Sequence, residues 1–108
     1  MIFDHVGLIS DDRRESEAFV TATRVWVTNP RAHPYQIEWL RFEPDSPVRG
    51  PVRTQPHVAF RVERLEPAPA GLTILLKPFD VGFARVGFYQ TTDGAVIELM
   101  QYKENAKV

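Results

Sequence analysis

The chain alternates more than it cycles. Short runs rich in β-branched and aromatic residues are separated by turn-forming clusters, which is the pattern of strands. Strands are predicted near residues 2–9, 22–28, 35–43, 56–62, 72–76, 83–90 and 95–102. Helical patterning is confined to SDDRRESEAFV at 10–20, where Ser10 can cap, Asp11 and Asp12 occupy the first turn, and Ala18 and Phe19 face inward. After the strand at 56–62, the stretch ERLEPAPAGL carries Pro67 and Pro69 and predicts a turn instead of a long second helix. Residues 43–56 are Pro-rich and polar, with 45–54 reading as a linker between two halves, and TTDG at 91–94 is a hairpin turn signal.

The halves on either side of that linker echo one another. Asp4-His5-Val6-Gly7-Leu8 matches Pro56-His57-Val58-Ala59-Phe60, Arg24-Val25 matches Arg85-Val86, and Ile37-Glu38 matches Ile97-Glu98. Self-similarity in one order is the mark of a duplicated supersecondary unit. Each unit reads strand, connection, strand, strand, with a His in its first strand and a Glu in its last. Side chains alternate along a strand, so His5 shares a face with Phe3 and Gly7, His57 with Ala59, Glu38 with Gln36 and Leu40, and Glu98 with Val96 and Met100. Packed as pseudo-symmetric halves of a curved sheet, the units bring two imidazoles and two carboxylates into one concavity.

Composition narrows the classes. The 108 residues, 44% of them hydrophobic, suit a single domain spanning 1–108. A net charge of -1 and a pI near 6.3 give no basic face for nucleic acid or an anionic membrane. No apolar run approaches the roughly 20 residues of a spanning helix, so the expectation is a soluble cytoplasmic protein. Without cysteine, a metal would need His or carboxylate ligands.

The paired HV and IE strands resemble those of the vicinal oxygen chelate superfamily, which includes glyoxalase I, methylmalonyl-CoA epimerase, extradiol dioxygenases, fosfomycin-modifying enzymes and bleomycin-binding proteins. The resemblance covers residues 2–102 and implies an α+β fold: two similar βαβββ-like modules, about 1–44 and 55–102, forming a cupped mixed β-sheet with the 10–20 helix outside it. Only two strands are predicted after that helix, where the family has three. The resemblance also implies metal ligation by His5, Glu38, His57 and Glu98, with Glu38 and Glu98 as candidate catalytic carboxylates. The implied cofactor is a divalent ion, Zn, Mn, Fe, Co or Ni. The implied activity is that of a metal-dependent isomerase, lyase or epimerase, acting on a small substrate with vicinal oxygens through a stabilised enolate or enediolate. The alternative on the same scaffold is a non-catalytic protein that sequesters a small molecule, as in bleomycin resistance.

Each candidate has a plainer reading. A strand His is commonly a hydrogen-bonded structural residue, and Glu98 between Ile97 and Leu99 could be a solvated outer-face residue. Arg24 and Arg85, at matching places in the two units, either pair with carboxylates or bind an anionic substrate group. Trp26, Trp39, Phe83, Phe88 and Tyr89 are core or pocket wall. A short chain with one helix leaves an open sheet uncovered, so a two-fold homodimer is expected.

Overall fold

The computed structural model describes residues 1–104, which are mostly β. The strands are β1 (Ile2–Ile9), β2 (Ala18–Val20), β3 (Val25–Val27), β4 (Ile37–Phe42), β5 (His57–Arg61), β6 (Thr73–Asp80), β7 (Ala84–Gln90) and β8 (Val96–Tyr102). They form one mixed sheet, ordered β2-β3-β4-β1-β5-β8-β7-β6, that curls into a half-barrel. The centre is the antiparallel pair β1–β5. β4 runs parallel to β1 and β8 parallel to β5, while β3 and β7 run antiparallel to β4 and β8. From either edge inward, the strands therefore come second, third, fourth and first of their half.

Helix is sparse among the described residues: a 3₁₀ turn at Pro30–Ala32 and α1 (Pro51–Thr54). None is long and apolar enough to cross a membrane.

The helix predicted at 10–20 is not formed, and the difference is instructive. Ser10 does accept the Asp12 N–H at 3.1 Å, as an N-cap would, but no helix follows. Ser16 has a positive φ of 62°, Arg14 lies 4.0 Å from the Trp39 ring centroid, and Glu17 pairs with Arg41 at 2.7 Å. Short polar helices are marginal in water, so these tertiary contacts prevail. The apolar end of the segment becomes β2, pairing Phe19 with Trp26. The strand that the first half lacked in the sequence reading was thus concealed inside the predicted helix. Residues 62–72 form bends and turns, as the prolines require.

The 45–54 segment is anchored at three residues, while Asp45, Pro47, Arg49, Gly50 and Thr54 stay exposed. Ser46 is fully buried and donates its hydroxyl to Thr23 O at 2.5 Å, and Val48 and Val52 join Ala59, Val86, Phe88 and Met100 in the core of the concave side. A second cluster, Leu65, Tyr89 and Leu99, lies against Phe60 and Ile97. Tyr89 is fully buried, and a Cβ at Gly87 would sit 2.5 Å from its hydroxyl. Gly87→Ala is therefore expected to lower unfolding stability by about 1–3 kcal/mol, because the trapped ring has nowhere to move. An unchanged urea midpoint would show that the ring does not lie over Gly87.

Candidate metal centre

The centre is built on two rows that cross the sheet. In one, Gly7 pairs with Glu38 on β4 and with His57 on β5. In the other, Ala59 pairs with His5 on β1 and with Glu98 on β8. Each row thus places a small residue between a His and a Glu. A Cβ on Gly7 would fall inside the His57 imidazole, and Ala59 is fully buried beneath its neighbours. The small residues let four larger side chains lean over them.

The result is one cluster. A ligand atom from each of His5, Glu38, His57 and Glu98 lies within 4.8 Å of all the others. Glu98 Oε1 is 3.3 Å from His5 Nε2 and 3.1 Å from His57 Nε2. Glu38 Oε1 is 3.4 Å from His5 Nε2 and 4.0 Å from His57 Nε2. Ligands at roughly 2.0–2.2 Å from one ion stand about 3–4 Å apart, so these spacings suit a shared cation. The imidazoles lie nearly edge to face, at 79° and 5.6 Å between centroids, and His57 also packs its ring against Phe88 at 5.2 Å.

The orphaned atoms agree with that fit. His5 Nε2 and both ring nitrogens of His57 are buried without a hydrogen-bond partner among the described residues. Buried polar atoms are normally paired, and two unpaired Nε2 atoms aimed at two carboxylates are what a mixed N/O ligand set looks like without its ion.

Asp4 was not among the residues singled out from the sequence, yet it organises the centre. Strict alternation would put it opposite His5. Instead, β1 and β5 shift register between Phe3 and His5, and Asp4 is the unpaired extra residue. Such a bulge re-aims side chains. Asp4 and His5 are buried side by side, while Phe3, expected on the His5 face, is 47% exposed. The Asp4 carboxylate accepts from His5 Nδ1 at 2.5 Å, from the Tyr102 hydroxyl at 2.6 Å and from Arg31 at 3.1 Å. These contacts fix the His5 ring with Nε2 toward the cluster. The only hint in the sequence is the adjacency of Asp4 and His5, which alternation argues against.

Charges follow from these contacts. Burial disfavours the Asp4 carboxylate, but the His5 and Tyr102 hydrogen bonds and the Arg31 charge prevail and hold it down to about 2. Burial also disfavours the His5 imidazolium, but Asp4, Glu38 and Glu98 push it up to about 11. Glu98 is held well below the usual carboxylate range: its burial is outweighed by the two imidazoles.

The remaining candidates lie elsewhere. Arg24 pairs with Asp45 at 2.7 Å and Arg85 with Glu66 at 3.1 Å, which gives both a carboxylate partner. Phe88 serves as core and wall, Phe83 lines the concavity, and Tyr89 lies in the second core cluster. No protein-family model matches the chain, and no curated protein matches it.

The pH dependence of the metal-free protein follows. The folded value of His5 lies above its ordinary 6.5, so its stabilisation is full below about pH 6.5 and is lost as pH rises toward about 11. Asp4 works in the opposite sense, stabilising above 3.8 and losing its effect as pH falls toward about 2. With chelator present, urea midpoints should fall through the alkaline range, and Asp4→Asn should flatten that fall. A wild-type midpoint level from neutral to strongly alkaline pH would contradict the assignment.

Proposed function

We propose that the chain is a glyoxalase-like member of the vicinal oxygen chelate superfamily. In this reading it acts as a metal-dependent isomerase, lyase or epimerase on a small substrate with two adjacent oxygens. The observation that carries the proposal is the convergence of His5, Glu38, His57 and Glu98 within 4.8 Å. The strand order, which reads alike from both edges, supports two similar modules joined at β1 and β5.

His5, His57, Glu98 and Glu38 would hold a divalent ion, of which Zn, Mn, Fe, Co and Ni all accept such ligands. Bound there, the ion would supply Lewis-acid stabilisation of charge growing on the adjacent substrate oxygens. The rest of the chemistry belongs to side chains. Asp4 keeps His5 aimed, and Phe88 packs on His57. Glu98 is the fixed carboxylate, set between both imidazoles and 8% exposed in its side chain. Glu38 is 16% exposed, stands 4.0 Å from His57, and faces the concavity. The looser carboxylate is the better base, since it can take a proton beside a substrate carbonyl and return it without dismantling the cluster.

A second reading has its own support. Glu98 lies between two imidazoles close enough to form ion pairs, so the cluster can neutralise itself with protons in place of metal. The protein would then sequester a ligand without transforming it.

Metal analysis of tag-free protein separates the two. The enzyme reading expects one divalent ion per chain, most of it lost in His57→Ala and Glu98→Ala. In Asp4→Asn, metal affinity should fall by about 10–100-fold, the usual effect of removing the partner that orients a ligating His. Glu38→Gln should retain much of the metal while proton exchange on 2-hydroxy-carbonyl or 2-methyl-thioester probes falls by about 10²–10⁴-fold. Wild-type protein that binds no divalent metal would leave the sequestration reading.

A further inference from the structure

Two cavities meet at the cluster. The smaller, about 300 Å³, touches Asp4, His5, Arg31 and Tyr102. The larger, about 710 Å³, has Glu38 and Glu98 in its wall and is otherwise built mainly from apolar side chains, among them Val25, Phe42, Phe79 and Phe88. Glu38, Phe83 and Met100 border both. A chamber of this size falls within the roughly 300–1,000 Å³ of small-molecule sites, and a few polar groups on an apolar wall are their usual make-up.

Its charges are one-sided. Among the described residues no lysine, arginine or histidine lines the larger chamber. Its charged members are Glu38, Glu98 and Asp80, all acidic, and Asp80 is paired with Lys103 at 2.7 Å. Arg31, the cation of the smaller cavity, donates to both the carboxylate and the backbone carbonyl of Asp4. A phosphate, nucleotide or carboxylate tail would lose its hydration in the chamber and meet no cation in return. A hydrocarbon or aromatic group would meet phenylalanine and valine.

We propose that the larger chamber binds the uncharged apolar body of the substrate, hydrocarbon or aromatic, while the two adjacent oxygens at its other end reach the His/Glu cluster. The assignment rests on the function proposed above and narrows its substrate class. It selects against substrates whose recognition depends on an anionic carrier group seated in the chamber.

The test uses hydroxamic acids, which present two adjacent oxygens, titrated calorimetrically into the full-length metal-loaded protein. From acetohydroxamate through hexano- to octanohydroxamate, affinity should rise by up to about fourfold for each methylene buried, then level off when the chamber is full. Suberic acid monohydroxamate, which ends in a carboxylate, should bind at least about tenfold more weakly than octanohydroxamate. Ala18 is exposed and borders both cavities, so Ala18→Trp should fold and should shrink the octano-to-aceto affinity ratio. Hydroxamates that bind with no gain from chain length would overturn the chamber assignment and leave the cluster reading standing. If no metal is held, the cluster reading fails, and a hexanol-to-decanol series on chelator-treated protein decides the chamber alone. Rising affinity along that series supports the apolar site, and a flat series overturns it. A flat series with light scattering that reports a dimer would mean that a second copy covers the chamber, which also overturns the proposal.

Discussion

Two imidazoles and two carboxylates are buried against one another, and the middle of the sheet is arranged around that fact. Removing a charge from water costs several kcal/mol even after relaxation, so such a group persists only where partners or an ion offset the loss. Here the partners are mutual. Each His faces at least one Glu, and Asp4 holds the far side of His5. The backbone has to match. Gly7 and Ala59 lie at the crossing points because any larger residue would occupy the space into which the flanking His and Glu side chains lean. Those crossing points belong to β1 and β5, the central antiparallel pair, so the strands deepest in the sheet are the ones that set the cluster.

The strands were legible because their signal is local. Alternation and β-branched content give β1, β4, β5, β7 and β8 nearly to the residue, and the repeated His and Glu positions picked out the four clustered side chains. Three features were hidden, each for a non-local reason. β2 lies in a segment whose capping chemistry is helical, and its pairing with β3, with Arg14 on Trp39 and Glu17 on Arg41, depends on residues far along the chain. The bulge at Asp4 appears only when β1 is set against β5, because one strand alone does not show which residue will be skipped. The burial of Ser46, Val48 and Val52 was masked by the linker-like composition of 45–54, where the Ser46 hydroxyl and the guanidinium groups of Arg49 and Arg53 satisfy nearby backbone carbonyls.

The two halves are alike in strand order and unlike in electrostatics. Where the first has Asp4 before its His, the second has Pro56, which brings no carboxylate. His5 is consequently anchored through Nδ1, whereas the His57 ring is positioned by shape, between Gly7 and Phe88, with Nδ1 unpaired among the described residues. The carboxylate on Nδ1 fixes the His5 ring and pushes its imidazole up, and the second half has no counterpart to that contact. The repeated His and Glu positions therefore bring two imidazoles to one place, and the difference between Asp4 and Pro56 makes their surroundings inequivalent.

That inequivalence has a direction across the concavity. The Asp4 side carries Tyr102 and Arg31 and opens on the smaller, more polar cavity, while the Glu98 side opens on the apolar chamber. Water-poor walls strengthen every electrostatic contact made beside them, so the Glu38 carboxylate, which borders both cavities, lies in a field set by Asp4 on one side and little screened on the other. The apolar chamber and the charged cluster are thus parts of one device. Enlarging or wetting the chamber would weaken the electrostatics of the cluster without touching its four side chains, and removing Asp4 would disturb the cluster from the opposite side while leaving the chamber's volume intact.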